Sequence, residues 1–202
     1  EQRVRLKPGI YKVKIDSSLE PGVLNYGEIV LPGESEDEVF ISTYVCHPSM
    51  ANNELSGPVV SIALARWIKS LPSHHYTYRF VFVPESIGAI SYSATHREHL
   101  REKTVSAFNL NCIGDDRAFT YLASRLGNLR IDRIAKRVLD GRENVRHYSY
   151  LKRGSDERHY GAPGMDLPII SLMRSRYSDY PEYHTSLDDL VNVVTPTGLQ
   201  GG

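Results

Sequence analysis

Apolar runs and stretches of helical periodicity alternate along this chain. Buried strands are predicted where β-branched and aromatic residues follow one another, at residues 39–45, 76–83, 104–113 and 167–173. Alternation of apolar and polar residues predicts a half-exposed strand over 9–16, and shorter strands are predicted at 26–31, 119–123 and 145–150. Helices are predicted over 59–69, 89–101 and 129–139, with a short one ending at Tyr160 and a last one opening at 186–189. Strands that alternate with helices predict an α/β domain with a parallel or mixed sheet.

Polar residues follow several of these strands at the points where they end. In open α/β sheets, ligands bind in the crevice outside the carboxyl ends of the strands. The chemistry is therefore expected at five such places: His47 with Asn52, Asn53 and Glu54; Glu85; Asn111 with Asp115 and Asp116; Asp156 with Glu157; and His184.

Composition, net charge and cysteine count limit the kinds of protein that this sequence can encode. The chain has 202 residues, of which 41% are hydrophobic and 24% charged, which suits a single globular domain over residues 1–202. Its formal net charge of zero gives no electrostatic reason to expect a nucleic acid or a membrane surface as partner. With only two cysteines, a reduced, cytoplasmic protein is predicted. Because the chain opens on Glu1 rather than on Met, we expect a fragment or core of a larger protein.

Four segments carry a resemblance to a known family: residues 26–33, 42–57, 154–160 and 180–190. Together they resemble the aminopeptidase-like zinc-peptidase family related to bacterial leucyl aminopeptidases. The resemblance implies a three-layer α/β/α zinc-exopeptidase-like fold with a central mixed sheet. Larger members of this branch carry an inserted small domain and a C-terminal winged helix.

The resemblance also implies roles for individual residues. His47 and His184 match the first and last metal-binding histidines of the peptidases, and Glu85 matches the general base. Asn53 stands where the family has the aspartate that bridges two zinc ions. A third oxygen ligand is expected from Asn53, from Asp156 or from Glu54.

Several positions depart from the family pattern. Ser49, Ser86 and Asn111 also stand where the peptidases have carboxylates. Two zinc ions repel one another unless bridging negative charge offsets the repulsion, so a neutral Asn53 predicts one zinc ion rather than two. Cys46 beside His47 is not expected to form a dyad, because neighbouring strand residues point to opposite faces.

The leading prediction is metal-dependent hydrolysis of a small peptide or amide substrate. Tyr180 and Tyr183 are candidates to line its pocket, although a loop packed by its own tyrosines is an equal interpretation. Two alternatives stay open: a catalytically impaired pseudo-peptidase that acts as a binding module, and an amidohydrolase that acts on an N-acyl amino sugar. Assembly into a homo-oligomer also stays open.

Overall fold

A computed structural model describes the backbone of residues 2–202 and the side chains of residues 4–202. The strands are β1 (Gly27–Leu31), β2 (Glu38–Tyr44), β3 (Thr77–Val83), β4 (Thr104–Leu110), β5 (Phe119–Leu122), β6 (Val145–Tyr148) and β7 (Ile169–Met173). They form one sheet in the order β1-β3-β2-β4-β7-β5-β6. The four central strands β3, β2, β4 and β7 run parallel to one another. Strand β1 runs antiparallel to β3, β5 runs antiparallel to β7, and β6 runs parallel to β5.

Helices cover both faces of this sheet. The helices are α1 (Gln2–Arg5), α2 (Ser56–Ser70), α3 (Ile87–Thr95), α4 (Arg97–Lys103), α5 (Arg130–Leu139), α6 (Glu157–Tyr160) and α7 (Pro196–Gln200). Successive strand residues point to opposite faces, so in β2 Phe40 packs with the residues of α3, α4 and α6, and Ile41 packs with those of α2. Helix α5 packs on the second face, against β5 and β7. The predicted three-layer α/β/α fold with a mixed sheet is therefore confirmed.

Three predicted elements differ in the structure. Residues 9–16 form no strand, and the side chains of Ile10, Val13 and Ile15 are fully or largely exposed, because no described strand pairs with this segment. The helix predicted over 89–101 is divided into α3 and α4 at His96, whose backbone leaves the helical conformation.

The last helix also begins later than predicted. Residues 186–189 form turns, and α7 starts at Pro196, where the Thr195 side chain accepts a hydrogen bond from the Gly198 backbone N–H. Thr195 is therefore the N-cap. Among the described residues, none of the helices has both the length and the apolar character that a membrane crossing requires.

Candidate functional site

The carboxyl ends of the four parallel strands meet at one edge of the sheet. The loop after β2 carries His47, the loop after β3 carries Glu85, the loop after β4 carries Asn111, and the long loop after β7 carries His184. Residues more than a hundred positions apart in sequence thereby come together, since parallel neighbours end on the same side. This edge is the candidate site.

Backbone strain concentrates at the same edge. Ser49, Ser86, Cys112 and His184 all have positive φ, between 48° and 64°. Non-glycine residues adopt this region at a cost and keep it only where the surrounding structure holds them. Each of the four loops is therefore held in a defined conformation rather than an extended one.

His47 lies at the centre of the site. Its ring centroid is 5.2 Å from that of His184. Its Nε2 atom is 3.7 Å from Oε2 of Glu85, and its Nδ1 atom is 3.0 Å from Oε2 of Glu54. One ring nitrogen thus faces the candidate base while the other faces a second carboxylate.

Glu54, one of the three candidates for an oxygen ligand, lies against the Nδ1 side of His47. It sits in a π-helical turn, Ala51–Leu55, and only 3% of it is exposed. One of its carboxylate oxygens accepts the Cys46 backbone N–H, and the other accepts from His47 Nδ1. A carboxylate accepts but does not donate, so this contact favours a proton on Nδ1 and leaves the Nε2 lone pair free.

Glu85 is held from the side opposite His47. The Ser155 hydroxyl donates to Glu85 Oε1 over 2.9 Å, and the Asn111 side-chain amide donates to the same hydroxyl oxygen over 3.2 Å. The Ser86 backbone N–H donates to Asp156 Oδ1 over 2.8 Å. The second carboxylate oxygen of Glu85 is thereby left facing His47.

Asp156 is a fully buried carboxylic acid in this network. Burial raises the pKa of Asp156 to about 7, and the negative charges of Glu85 and Glu157 add to the effect. Its Oδ2 atom has no hydrogen-bond partner in the described part of the chain, and neither do the buried Oδ1 atoms of Asn53 and Asn111. Unpaired buried acceptors of this kind are the groups that a bound cation satisfies.

Asn53 uses its amide nitrogen on protein partners. The Nδ2 group donates to the Tyr44 hydroxyl over 2.6 Å and approaches Cys112 Sγ at 3.7 Å. Burial raises the pKa of Tyr44 far above its usual range, with the Cys112 and Glu85 charges contributing, so this phenol stays neutral. The amide oxygen is consequently the only side-chain atom of Asn53 left for a ligand.

Asp188 is a supporting residue that sequence reasoning assigned to a helix start. Its two carboxylate oxygens accept the backbone N–H groups of Asn52, over 2.6 Å, and Asn53, over 3.0 Å. The Tyr180 hydroxyl also donates to Asp188, over 2.9 Å. The loop that carries His184 is in this way fastened to the turn that carries Glu54. An acidic residue a few positions after His184 was the sequence signal available for this role.

The two candidate tyrosines have different surroundings. Tyr180 is 4% exposed and its hydroxyl donates to Asp188, which fits the interpretation of a loop packed by its own tyrosines. Tyr183 is half-buried, and its ring stacks on His184 with centroids 3.8 Å apart and an interplanar angle of 15°. Tyr183 therefore stays a candidate for contact with a substrate.

Cys46 is closer to His47 than strand alternation predicts. Because β2 ends at Tyr44, the alternation no longer holds at Cys46, and its Sγ lies 3.0 Å from His47 Nδ1. Burial raises the pKa of Cys46 to about 12, so the sulfur is a thiol and not a nucleophilic thiolate at neutral pH.

Possible metal-binding atoms lie on both sides of the His47 ring. Among the described residues, the three donor types that lie within 4.8 Å of one another belong to Cys46, His47 and Glu54, on the Nδ1 side. His184 and Asp156 are outside that cluster. Glu85 Oε2 lies on the Nε2 side, and the His184 ring lies beside the His47 ring. Imidazole and carboxylate groups are ligand types that zinc takes.

Comparison with known sequences places the chain in a family. The family model described as "Domain of unknown function (DUF4910)" matches residues 9–202. A protein of Clostridium acetobutylicum, named for polysaccharide biosynthesis and an aminopeptidase-like domain, is 40% identical over 181 residues. The match covers 89% of this chain and 41% of that protein, so the chain spans about two-fifths of the relative's length.

Solved structures show the same similarity. A Clostridium acetobutylicum protein described as a peptidase has a TM-score of 0.82 and 36% identity, over 87% of this chain and 41% of that one. An aminopeptidase from Aneurinibacillus sp. strain AM-1 has a TM-score of 0.72 and 19% identity, over 86% and 44%. The glutaminyl cyclase of Porphyromonas gingivalis has a TM-score of 0.68 and 14% identity, over 87% and 73%. The last two show a shared fold, and the resemblance predicted from the motifs is confirmed.

Proposed function

The chain belongs to the DUF4910 family and has an aminopeptidase-like, zinc-exopeptidase fold, and from this premise we propose that it hydrolyses a peptide or amide bond with one bound zinc ion. The observation that carries the proposal is the placement of His47, with Glu54 at one ring nitrogen, Glu85 at the other and His184 beside the ring. This arrangement pairs an oriented imidazole with a carboxylate positioned to accept a proton.

Zinc would be held by His47 Nε2, by His184 and by an oxygen of Asp156 or Asn53. When bound, zinc lowers the pKa of a coordinated water and polarises the carbonyl of the scissile bond. The imidazole and carboxylate donors suit this ion. Asn53 and Asn111 supply no negative charge, which supports one ion rather than two.

Glu85 takes the role of general base. Its Oε2 atom, which has no side-chain hydrogen bond among the described residues, accepts the proton of the attacking water and later returns it to the leaving amine. The Ser155 hydroxyl on Oε1 keeps the carboxylate from rotating away from His47. Tyr183, stacked on His184, provides a flat apolar surface next to the reacting bond.

A second candidate substrate is the N-acyl group of an amino sugar. The observation that favours it is the name of the Clostridium acetobutylicum relative, which refers to polysaccharide biosynthesis. Glutaminyl cyclases share this fold, so one scaffold supports more than one reaction at a carbonyl or amide. The same zinc and base would serve either amide.

The test measures bound metal and hydrolysis together. Zinc content is determined on protein purified without chelator, and hydrolysis is assayed with aminoacyl anilides and with N-acetylated amino sugars. Glu85→Gln is expected to retain zinc and to lose at least about 100-fold in rate, because general-base catalysis contributes that much. Wild-type protein that binds no zinc and cleaves neither class of amide would contradict the proposal and favour a pseudo-peptidase that binds ligands.

A further inference from the structure

An arginine-lined pocket opens beside α6, on the sheet side that carries α3 and α4. Its volume is about 550 Å³. Three arginines line it, Arg125, Arg153 and Arg158, together with Ser124 and Ser149. Leu126 and Leu151 form an apolar rim. We call this the arginine pocket.

The positive charge in the arginine pocket is only partly compensated. Arg153 donates to the Tyr150 carbonyl oxygen, and its guanidinium lies 4.6 Å from the centroid of the Tyr150 ring. Arg158 donates to the Ser86 hydroxyl over 2.9 Å, a neutral partner. Arg125 is the member that has a carboxylate partner, Asp166.

The local charge contrasts with that of the whole chain. The formal net charge of the protein is zero, and yet the described residues that line this pocket include three arginines and neither aspartate nor glutamate. A concave surface with one sign of charge and apolar walls concentrates the field and raises the local concentration of counter-ions. The ligand that matches this surface is an anion.

We propose that the arginine pocket binds an anionic group, a carboxylate or a phosphate, that belongs to the substrate. Guanidinium groups present several N–H donors in a fixed plane and bind both groups through paired, charge-assisted hydrogen bonds. Arg153 and Arg158 carry the binding, since neither pairs with a carboxylate among the residues that the structure describes.

Arg158 connects the pocket to the candidate site. Its Nη2 group bonds the hydroxyl of Ser86, which follows Glu85 directly in the chain, and the Ser86 N–H is bound by Asp156. A substrate whose anionic group pairs with Arg158 would therefore lie close to the loop that carries Glu85. This link to a substrate rests on the proposed hydrolysis, whereas anion binding itself does not depend on it.

The experiment titrates the wild-type protein by calorimetry with inorganic phosphate and, separately, with acetate. The variants are Arg153→Ala, Arg153→Lys and Arg158→Ala, and the matched control is Arg66→Ala, an exposed arginine of α2 on the opposite face of the sheet. Saturable binding of either anion is expected, and each alanine variant should weaken it about tenfold, the loss expected for one charge-assisted pair. Arg153→Lys should lose less, and Arg66→Ala nothing.

The outcomes separate this proposal from the proposed hydrolysis. Binding of phosphate alone identifies a phosphorylated ligand, and binding of acetate alone identifies a carboxylate. Wild-type protein that shows no saturable binding of either anion overturns the proposal, as does binding that Arg153→Ala and Arg158→Ala leave unchanged while circular dichroism shows both variants folded. Hydrolysis can be present or absent in each of these cases, because none of the measurements requires turnover.

Discussion

Replacement of Glu54 by glutamine tests whether this carboxylate orients His47. The change keeps the size of the side chain and removes its charge. In the wild-type protein two donors, His47 Nδ1 and the Cys46 backbone N–H, share the two carboxylate oxygens. A glutamine has one acceptor oxygen, so one of these donors loses its partner, and its NH₂ group can turn toward Nδ1 and favour the other tautomer.

The size of the effect follows from the burial of this contact. In metal-binding histidines, loss of the hydrogen-bond acceptor at the ring nitrogen that does not bind the metal typically weakens metal affinity about 10- to 100-fold. Since Glu54 is 3% exposed, solvent screens the contact little and we expect the upper part of that range, about 2–2.7 kcal/mol. The orphaned donor should also lower the free energy of unfolding by about 1–3 kcal/mol.

Two measurements on the same samples check the prediction. Competition with a chromogenic chelator gives the zinc affinity, and ¹⁵N NMR of the metal-free protein gives the tautomer of His47. We expect a proton on Nδ1 in the wild type and a mixture in Glu54→Gln. Glu102→Gln, at an exposed position of α4, is the control. Unchanged zinc affinity together with an unchanged tautomer would refute the reasoning.

Three further changes probe the site and its support. Asn53→Asp should tighten zinc binding. Without metal it should lower the melting temperature, because it adds a buried carboxylate with no cation. Equal zinc affinity in the two forms would mean that Asn53 does not face the metal. Asp132→Asn should cost about 1–3 kcal/mol at pH 7. Burial alone raises the pKa of Asp132, but hydrogen bonds, the largest from the Ser124 side chain, lower it overall. The ionised form therefore stabilises the fold above the unfolded pKa, and the stability difference between wild type and Asp132→Asn should shrink as the pH falls below about 4. Denaturation at several pH values measures this difference, and a constant difference would contradict the prediction. Gly57→Ala should destabilise by about 1–3 kcal/mol, since a Cβ there would lie 2.3 Å from Thr43 Oγ1, and a variant as stable as the wild type in urea would show that the helix start can shift.

The central strands were predictable because their residues are buried on both faces. The runs that became β2, β3, β4 and β7 are near-continuous in apolar residues, and such runs are typical of parallel strands under helices. The segment 9–16 misled because alternation predicts a strand only where another strand pairs with it. Asp188 lies in a segment that predicts a helix start, because acidic residues favour the first turn. In the structure its carboxylate accepts hydrogen bonds from a turn 135 residues away.

The sequence indicates which residues come together at this edge of the sheet, but not how they contact one another. His47, Glu85 and His184 were found through motifs at strand ends, and the structure places His47 next to both of the others. The contact of Glu54 with His47 depends on the π-helical turn, which inserts one residue per turn relative to an α-helix and which periodicity does not reveal. The arginine pocket was not foreseen either, because its three arginines come from two separate segments, at 125 and at 153–158.

Asp188 joins the loop that carries His184 to the turn that carries Asn52 and Asn53, so we expect these two segments to open together. These two N–H groups bond to a loop that follows β7, so they can exchange with deuterium only when that loop detaches or the turn unwinds. Amide exchange at Asn52 and Asn53 should accordingly report the motion of the loop that carries His184. One opening event would then displace both the His184 loop and the turn that carries Asn52 and Asn53. A ligand that holds His184 in place would slow hydrogen exchange at Asn52 and Asn53, on the other side of the site.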